Sequence, residues 1–146
     1  MNAFLVFPLL VAAGVALVFQ NLLMVKITQS VSTVLITLAI NSAVGLVLLL
    51  ASLLARKGLA GLGEMVQAMQ PWLLLPGLLG SFFVFAGIMG YQSIGAAATI
   101  AVLVASQLLT GMVVQMRQTH TLPDVSALLG AVLLMAGVVL ILRARA

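Results

Sequence analysis

The sequence contains no cysteine and very little charge, with six Lys or Arg and two Asp or Glu residues among 146. Without cysteine there are no disulfides, thiolate metal sites or cysteine nucleophiles. Charged residues make up 5% of the chain, whereas an average soluble domain has about 25%. The basic residues are scattered, which argues against nucleic-acid binding despite the net charge of +4. These shortages exclude a soluble enzyme, a disordered chain and a nucleic-acid binder.

Hydrophobic residues make up 64% of the chain, and the mean hydropathy is +1.37. Crossing about 30 Å of hydrocarbon takes about 20 helical residues. The long uncharged stretches provide five segments of that length. We therefore predict an all-α integral membrane protein, with five transmembrane helices in a single domain over residues 1–146. The predicted spans are approximately residues 4–24, 30–54, 71–90, 96–116 and 124–142.

Two connections between the predicted helices carry local signals. In residues 59–70 apolar side chains recur at helical spacing, which fits either a short interfacial helix on the membrane or a loop. Pro71 suits the first turn of the third helix. The residues from Tyr91 to Gly95 predict a tight turn before the fourth helix.

The basic residues are balanced between the two faces of the predicted membrane protein. When a chain crosses the membrane five times, its connections alternate between the two faces. Each face then receives three basic residues: Arg56, Lys57 and Arg117 on one, and Lys26, Arg143 and Arg145 on the other. Orientation follows the Lys/Arg bias, so it should be weakly specified, and an antiparallel pair could form. The alternative is a single orientation set by the translocation machinery or by helix hydrophobicity.

No charged residue or histidine falls in the middle of a predicted span. Charges at that depth are typical of proton relays and ion-coupled pumps. The only histidine, His120, lies in the polar link before the fifth helix, and the sequence has no catalytic Ser/His/Asp pattern and no glycine-rich phosphate loop. We therefore predict no enzyme activity, no cofactor and no bound metal.

The spans do contain neutral polar residues at helical spacing. On the second helix, polar or small residues follow one another in steps of four: Thr33, Thr37, Asn41 and Gly45. On the fourth helix, four polar residues share one side: Thr99, Ser106, Gln107 and Thr110. Small residues let helices approach closely, so these stripes fit packing faces.

The side-chain amides of Gln20, Asn21, Asn41 and Gln107 are the strongest candidates for binding a substrate. Each has two N–H donors and an acceptor oxygen, and an unpaired polar group in low dielectric costs about 1–3 kcal/mol. They must face another helix, another chain or a water-filled cavity. Asn41 and Gln107 lie deepest in their predicted spans. Tyr91, at the end of the third helix, completes the candidate set.

Short motifs along the chain resemble those of the small YdcZ-type inner-membrane exporters, in the drug/metabolite transporter superfamily. The similar segments cover nearly the whole chain: Ala13-Gly14-Val15-Ala16 with Gln20-Asn21, Asn41-Ser42 with Gly45, Trp72 with Gly77-Leu78-Leu79-Gly80, Ile94-Gly95-Ala96-Ala97 with Ser106-Gln107-Leu108, and Gly130 with Gly137-Val138.

The resemblance implies half of an inverted-repeat transporter in the bacterial inner membrane. Members are similar to one half of ten-helix exporters whose two halves are inverted. In such folds the substrate site lies near mid-membrane between the repeats, and the repeats rock to give alternating access. A chain with one repeat would need a second copy in the opposite orientation, which agrees with the balanced charges.

We therefore expect a small secondary transporter that exports a small metabolite or hydrophobic compound as an antiparallel, dual-topology homodimer. Its partners would be the lipid bilayer, the second copy and the small-molecule substrate. Two alternatives stay open: a structural or accessory membrane subunit that transports nothing, and one half of a heterodimer formed with a related chain.

Overall fold

The computed structural model describes residues 3–144, and this range is helical without strands. The helices are α1 (Ala3–Ser30), α2 (Val34–Gln67), α3 (Leu74–Ser93), α4 (Gly95–Thr119) and α5 (Val125–Arg143), with a 3-10 turn at Pro71–Leu73 before α3. Within the described range, five helices are long and apolar enough to cross a membrane. The predicted all-α class and the five helices are confirmed.

The first two helices differ from the predicted spans at their ends. α1 continues past Lys26 to Ser30, because the helical backbone bonds internally while the long Lys26 side chain can reach water. α2 begins at Val34, later than predicted, because Thr33 is its N-cap and accepts a hydrogen bond from the Leu35 N–H at 3.3 Å.

A sharp elbow interrupts α2 at Gly58, whose φ of 59° and ψ of −154° are not helical. Just after this elbow, a Cβ atom added to Gly61 would lie 2.9 Å from the Lys57 Cβ and 3.0 Å from Leu53 Cδ1, so the two segments are in close contact. Lys57 Nζ and Glu64 Oε2, 2.7 Å apart, form an ion pair across the elbow. Residues 59–67 are helical, so the alternative of a loop is wrong for them, whereas residues 68–70 lie outside the helix.

The connection between α3 and α4 is shorter than the sequence predicted. Tyr91 and Ser93 are part of α3, so the predicted turn from Tyr91 to Gly95 is wrong in extent. Only Ile94 lies between the two helices: its N–H donates to the Gly90 carbonyl oxygen at 2.8 Å. Gly95 has a φ of 72°, a left-handed conformation that glycine adopts without strain.

Contacts divide the chain into two compact units, one up to Met89 and one from Gly90 onward. In the first unit α1 packs against α2, and in the second α4 packs against α5. Few large side chains are buried in the described range, and leucines such as Leu9 and Leu133 are exposed by 57% and 71%. Such apolar surfaces suit hydrocarbon, as expected for helices that span a membrane.

Candidate functional site

The side chains of Gln20 on α1 and Asn41 on α2 are joined by a hydrogen bond. Gln20 Nε2 donates to Asn41 Oδ1 at 3.0 Å, and both residues are half-buried. Gln20 Nε2 also lies 4.0 Å from the Met24 sulfur, one turn along α1. The structure thus brings together two of the five residues that the sequence predicted for substrate binding.

A second polar contact joins the same two helices, about two turns after Gln20 on α1 and one turn before Asn41 on α2. The hydroxyls of Thr28 and Thr37 are 2.9 Å apart, and Thr28 Oγ1 also donates to the Met24 carbonyl oxygen at 2.8 Å. Thr37 is 1% exposed. Sequence reasoning placed Thr37 on the polar stripe of α2 but missed Thr28. The available signal was its spacing, because Thr28 follows Gln20 by eight residues and so shares a helix face with it.

An open groove of about 480 Å³ runs along the junction of α1 and α2. Its lining is apolar apart from Gln20, Thr37 and Asn41, and its apolar residues include Ala16, Phe19, Leu23, Ile40 and Val44. Small-molecule sites are typically clefts of about 300–1,000 Å³ with apolar walls and a few polar groups. The groove has this size and this kind of lining.

The amide pair retains hydrogen-bonding capacity that faces this groove. The Gln20–Asn41 bond uses one N–H of Gln20 and one lone pair of Asn41. It leaves the two N–H donors of Asn41 and the carbonyl oxygen of Gln20. No other side chain of the described range donates a hydrogen bond to that oxygen or accepts one from Asn41. A polar molecule in the groove could therefore bind both groups.

Asn21 points to a different neighbour from Gln20. It is 6% exposed, and its Oδ1 lies 3.8 Å from the position that a Cβ on Gly87 of α3 would occupy. Adjacent residues on a helix are about 100° apart, and on this helix Asn21 faces α3 whereas Gln20 faces the groove. Asn21 does not line the groove.

Tyr91 and Gln107 belong to the second unit and do not line the groove either. Tyr91 is 7% exposed, and its hydroxyl has no hydrogen-bond partner within residues 3–144. Gln107 lies on the exposed surface of α4. Their assignment to substrate binding stays a prediction.

On α4, Thr99 packs closely against the last turn of α3. A Cβ on Gly90 would lie 2.5 Å from Thr99 Cγ2, and the Thr99 hydroxyl donates to the Gly95 carbonyl oxygen at 2.8 Å. This contact needs a glycine at position 90. Of the four stripe residues on α4, Thr99 is buried, whereas Ser106, Gln107 and Thr110 are exposed.

Comparison with known proteins gives one family. The model of the family described as "Putative inner membrane exporter, YdcZ" matches residues 5–140. The Inner membrane protein YdcZ of Escherichia coli (strain K12) is 52% identical over 146 residues, which cover 98% of each chain. No solved structure matches. The relative is an inner membrane protein. The five helices in the described part of this chain that are long and apolar enough to cross a membrane agree with a multi-pass protein of that membrane.

Proposed function

Since this chain belongs to the YdcZ family of inner membrane exporters, we propose that it exports a small metabolite or hydrophobic compound by alternating access. Family membership implies a membrane transporter rather than an enzyme. The groove between α1 and α2 would form part of the substrate pathway, with Gln20 and Asn41 as its hydrogen-bonding groups.

The observation that carries this proposal is the depth of the Gln20–Asn41 pair. Lys26 must keep its charge near the membrane surface, and Gln20 lies six residues before it, about 9 Å further along the helix. We therefore infer that the incompletely bonded amides lie within the hydrocarbon region, where each unsatisfied polar group costs free energy. A substrate, or water that a substrate displaces, would meet this need.

We further propose that a second copy in the opposite orientation covers the groove, so that two grooves face each other across a two-fold axis. The residues that line the groove come from α1 and α2 only. The equal count of basic residues on the two faces supports insertion in both orientations. A pair related in this way would supply the second, inverted repeat that alternating access requires.

Cross-linking of single cysteines tests the arrangement, because the natural sequence has none to interfere. Ala16 is at the middle of α1 and lines the groove, while Leu9 and Leu23 lie seven residues to either side, about 10 Å along the axis. In an antiparallel pair we expect the Ala16→Cys variant to form a cross-link between the cysteines at position 16 of the two copies. Leu9→Cys and Leu23→Cys should cross-link only when the two variants are mixed.

Ala16→Cys would cross-link in either arrangement, whereas in a parallel pair Leu9→Cys and Leu23→Cys would each cross-link alone. That result would overturn the antiparallel arrangement. Reporters fused to both ends provide the control, since dual topology places each end on both sides of the membrane. A single orientation and no cross-link would instead favour the heterodimer half or the accessory subunit.

Transport itself is tested with proteoliposomes loaded with a defined mixture of neutral amino acids, sugars and aromatic amines. We expect the protein to deplete at least one component faster than empty liposomes do, and Asn41→Ala to slow that depletion without loss of the dimer. Ser52→Ala is a matched control, because Ser52 is an exposed α2 residue that bonds only the Leu48 carbonyl oxygen. Equal depletion by Asn41→Ala and the unmodified protein would contradict a role for the amide.

A further inference from the structure

In the second unit, an apolar groove of about 780 Å³ lies between α4 and α5. Its α4 wall runs from Leu109 to Met116, and its α5 wall from Val125 to Met135. The α5 wall covers ten residue steps, or about 15 Å. The lining contains no charged residue and no side-chain amide, so the groove suits a hydrocarbon chain.

A second cavity, of about 560 Å³, adjoins the groove at the end of α4 and is lined by Val113, Met116, Arg117 and His120. Val113 and Met116 are shared between the two cavities. Arg117 is in the last turn of α4, and His120 ends the helix with a φ of 52°. The apolar groove therefore opens beside a guanidinium and an imidazole.

The charge of Arg117 is not matched by an acidic side chain. The sequence has two acidic residues, Glu64 and Asp124. Glu64 is paired with Lys57 at 2.7 Å. Asp124 caps α5: Oδ1 accepts from the Val125 N–H at 2.8 Å, and Oδ2 accepts from the Ser126 hydroxyl at 3.1 Å.

Asp124 also lines a different cavity from Arg117 and His120. That cavity is smaller, about 190 Å³, and contains Gln115, Thr119 and Thr121 but neither basic residue. The carboxylate is thus hydrogen-bonded at the start of α5, and no acidic residue lines the cavity that contains Arg117 and His120. An anion at Arg117 would not have to share its binding site with Asp124.

We infer that this end of the protein binds an anionic phospholipid. Its phosphate would lie at Arg117 and His120, and one acyl chain would occupy the groove between α4 and α5. A guanidinium is the preferred partner of a phosphate because its N–H donors match two oxygens at once. A basic side chain near the membrane surface attracts anionic headgroups by about 1 kcal/mol. The lipid site does not depend on the proposed transport.

Native mass spectrometry of the purified full-length protein tests this inference. The protein is released from nanodiscs that contain equal amounts of phosphatidylglycerol and phosphatidylethanolamine, and the retained lipids are counted. We expect preferential retention of phosphatidylglycerol, reduced about fivefold by Arg117→Gln. Arg143→Gln is the matched control, because Arg143 is also in the last turn of its helix but lines neither cavity.

A second pair of variants tests the acyl-chain groove and leaves the charges in place. Val132 lines the groove and is 65% exposed, while the adjacent Leu133 is 71% exposed and lies outside it. Val132→Trp should fill the groove and reduce retention of phosphatidylglycerol, whereas Leu133→Trp should not. This comparison decides the question even if Arg117→Gln does not fold.

Four results would overturn the inference. They are equal retention of the two lipids, equal losses in Arg117→Gln and Arg143→Gln, equal losses in Val132→Trp and Leu133→Trp, and displacement of the lipid by glycerol 3-phosphate. The last would show that the site binds a free phosphate ester and that the groove contributes nothing. Retention that survives excess glycerol 3-phosphate supports the lipid.

Discussion

Breaking the Gln20–Asn41 hydrogen bond should weaken the packing of α1 against α2 by a small, measurable amount. Its 3.0 Å length is that of a well-formed amide bond. Hydrogen bonds between transmembrane helices contribute about 0.6 kcal/mol on average and at most about 1.7 kcal/mol. We therefore expect the variants Gln20→Ala and Asn41→Ala to show a coupling free energy within this range.

The coupling is measured by a double-mutant cycle. The free energy of unfolding of the unmodified protein, the two single variants and the double variant is determined by SDS titration in dodecylmaltoside micelles. Asn41→Ala alone should cost more than the coupling, because Gln20 keeps only its 4.0 Å contact with the Met24 sulfur. A coupling of zero within an error of about 0.3 kcal/mol would refute the pair and the reasoning built on it.

Leucine substitutions separate the structural role of this pair from its role in transport. Replacing both partners with apolar groups of similar shape is often nearly neutral for stability. The double variant Gln20→Leu/Asn41→Leu should therefore fold about as stably as the unmodified protein but lose the polar groups of the groove. In the proteoliposome assay we expect this double variant to deplete the loaded compounds no faster than empty liposomes do. If it transports at the original rate, the pair has a structural role only.

Two glycine positions give further predictions, each measured as a change in melting temperature in detergent. Gly58→Ala should destabilise the protein by about 1–3 kcal/mol, because its backbone conformation is one that only glycine adopts readily. The control Gly63→Ala, with open space around its Cβ position, should be neutral or slightly stabilising. Equal effects of Gly58→Ala and Gly63→Ala would contradict the non-helical backbone conformation at Gly58. Gly90→Ala should cost about 1–3 kcal/mol through overpacking against Thr99, and Thr99→Ala should restore part of that loss. Gly77→Ala, again in open space, is the control, and no loss in Gly90→Ala would refute the close contact.

Polar residues that were equivalent in the sequence take different positions in the structure. The sequence predicted a packing face on α2, and there Thr37 is buried and Asn41 bonds to α1. The same reasoning grouped Thr99 with Gln107 on α4, yet Thr99 is buried and Gln107 is exposed. Residue spacing indicates which side chains share a helix face. It does not indicate over what length a neighbouring helix covers that face.

The elbow at Gly58 shows a second limit. The apolar spacing after Leu59 fitted both a helix and a loop. Residue spacing carries no information about the contacts that a segment makes with the helix before it. The close approach of Gly61 to Leu53 and Lys57 is a contact across a sharp bend. It depends on a backbone angle at Gly58 that the sequence permits but does not require.

The number and helical nature of the membrane segments follow from the sequence alone. A long apolar segment in lipid must satisfy its backbone hydrogen bonds internally, and a helix does so with local contacts. The partners of the polar side chains were decided by tertiary structure. Gln20 bonds to α2 while its neighbour Asn21 lies against Gly87 of α3. Adjacent residues face directions about 100° apart, and which neighbour each one meets depends on how the shapes of two helices fit together.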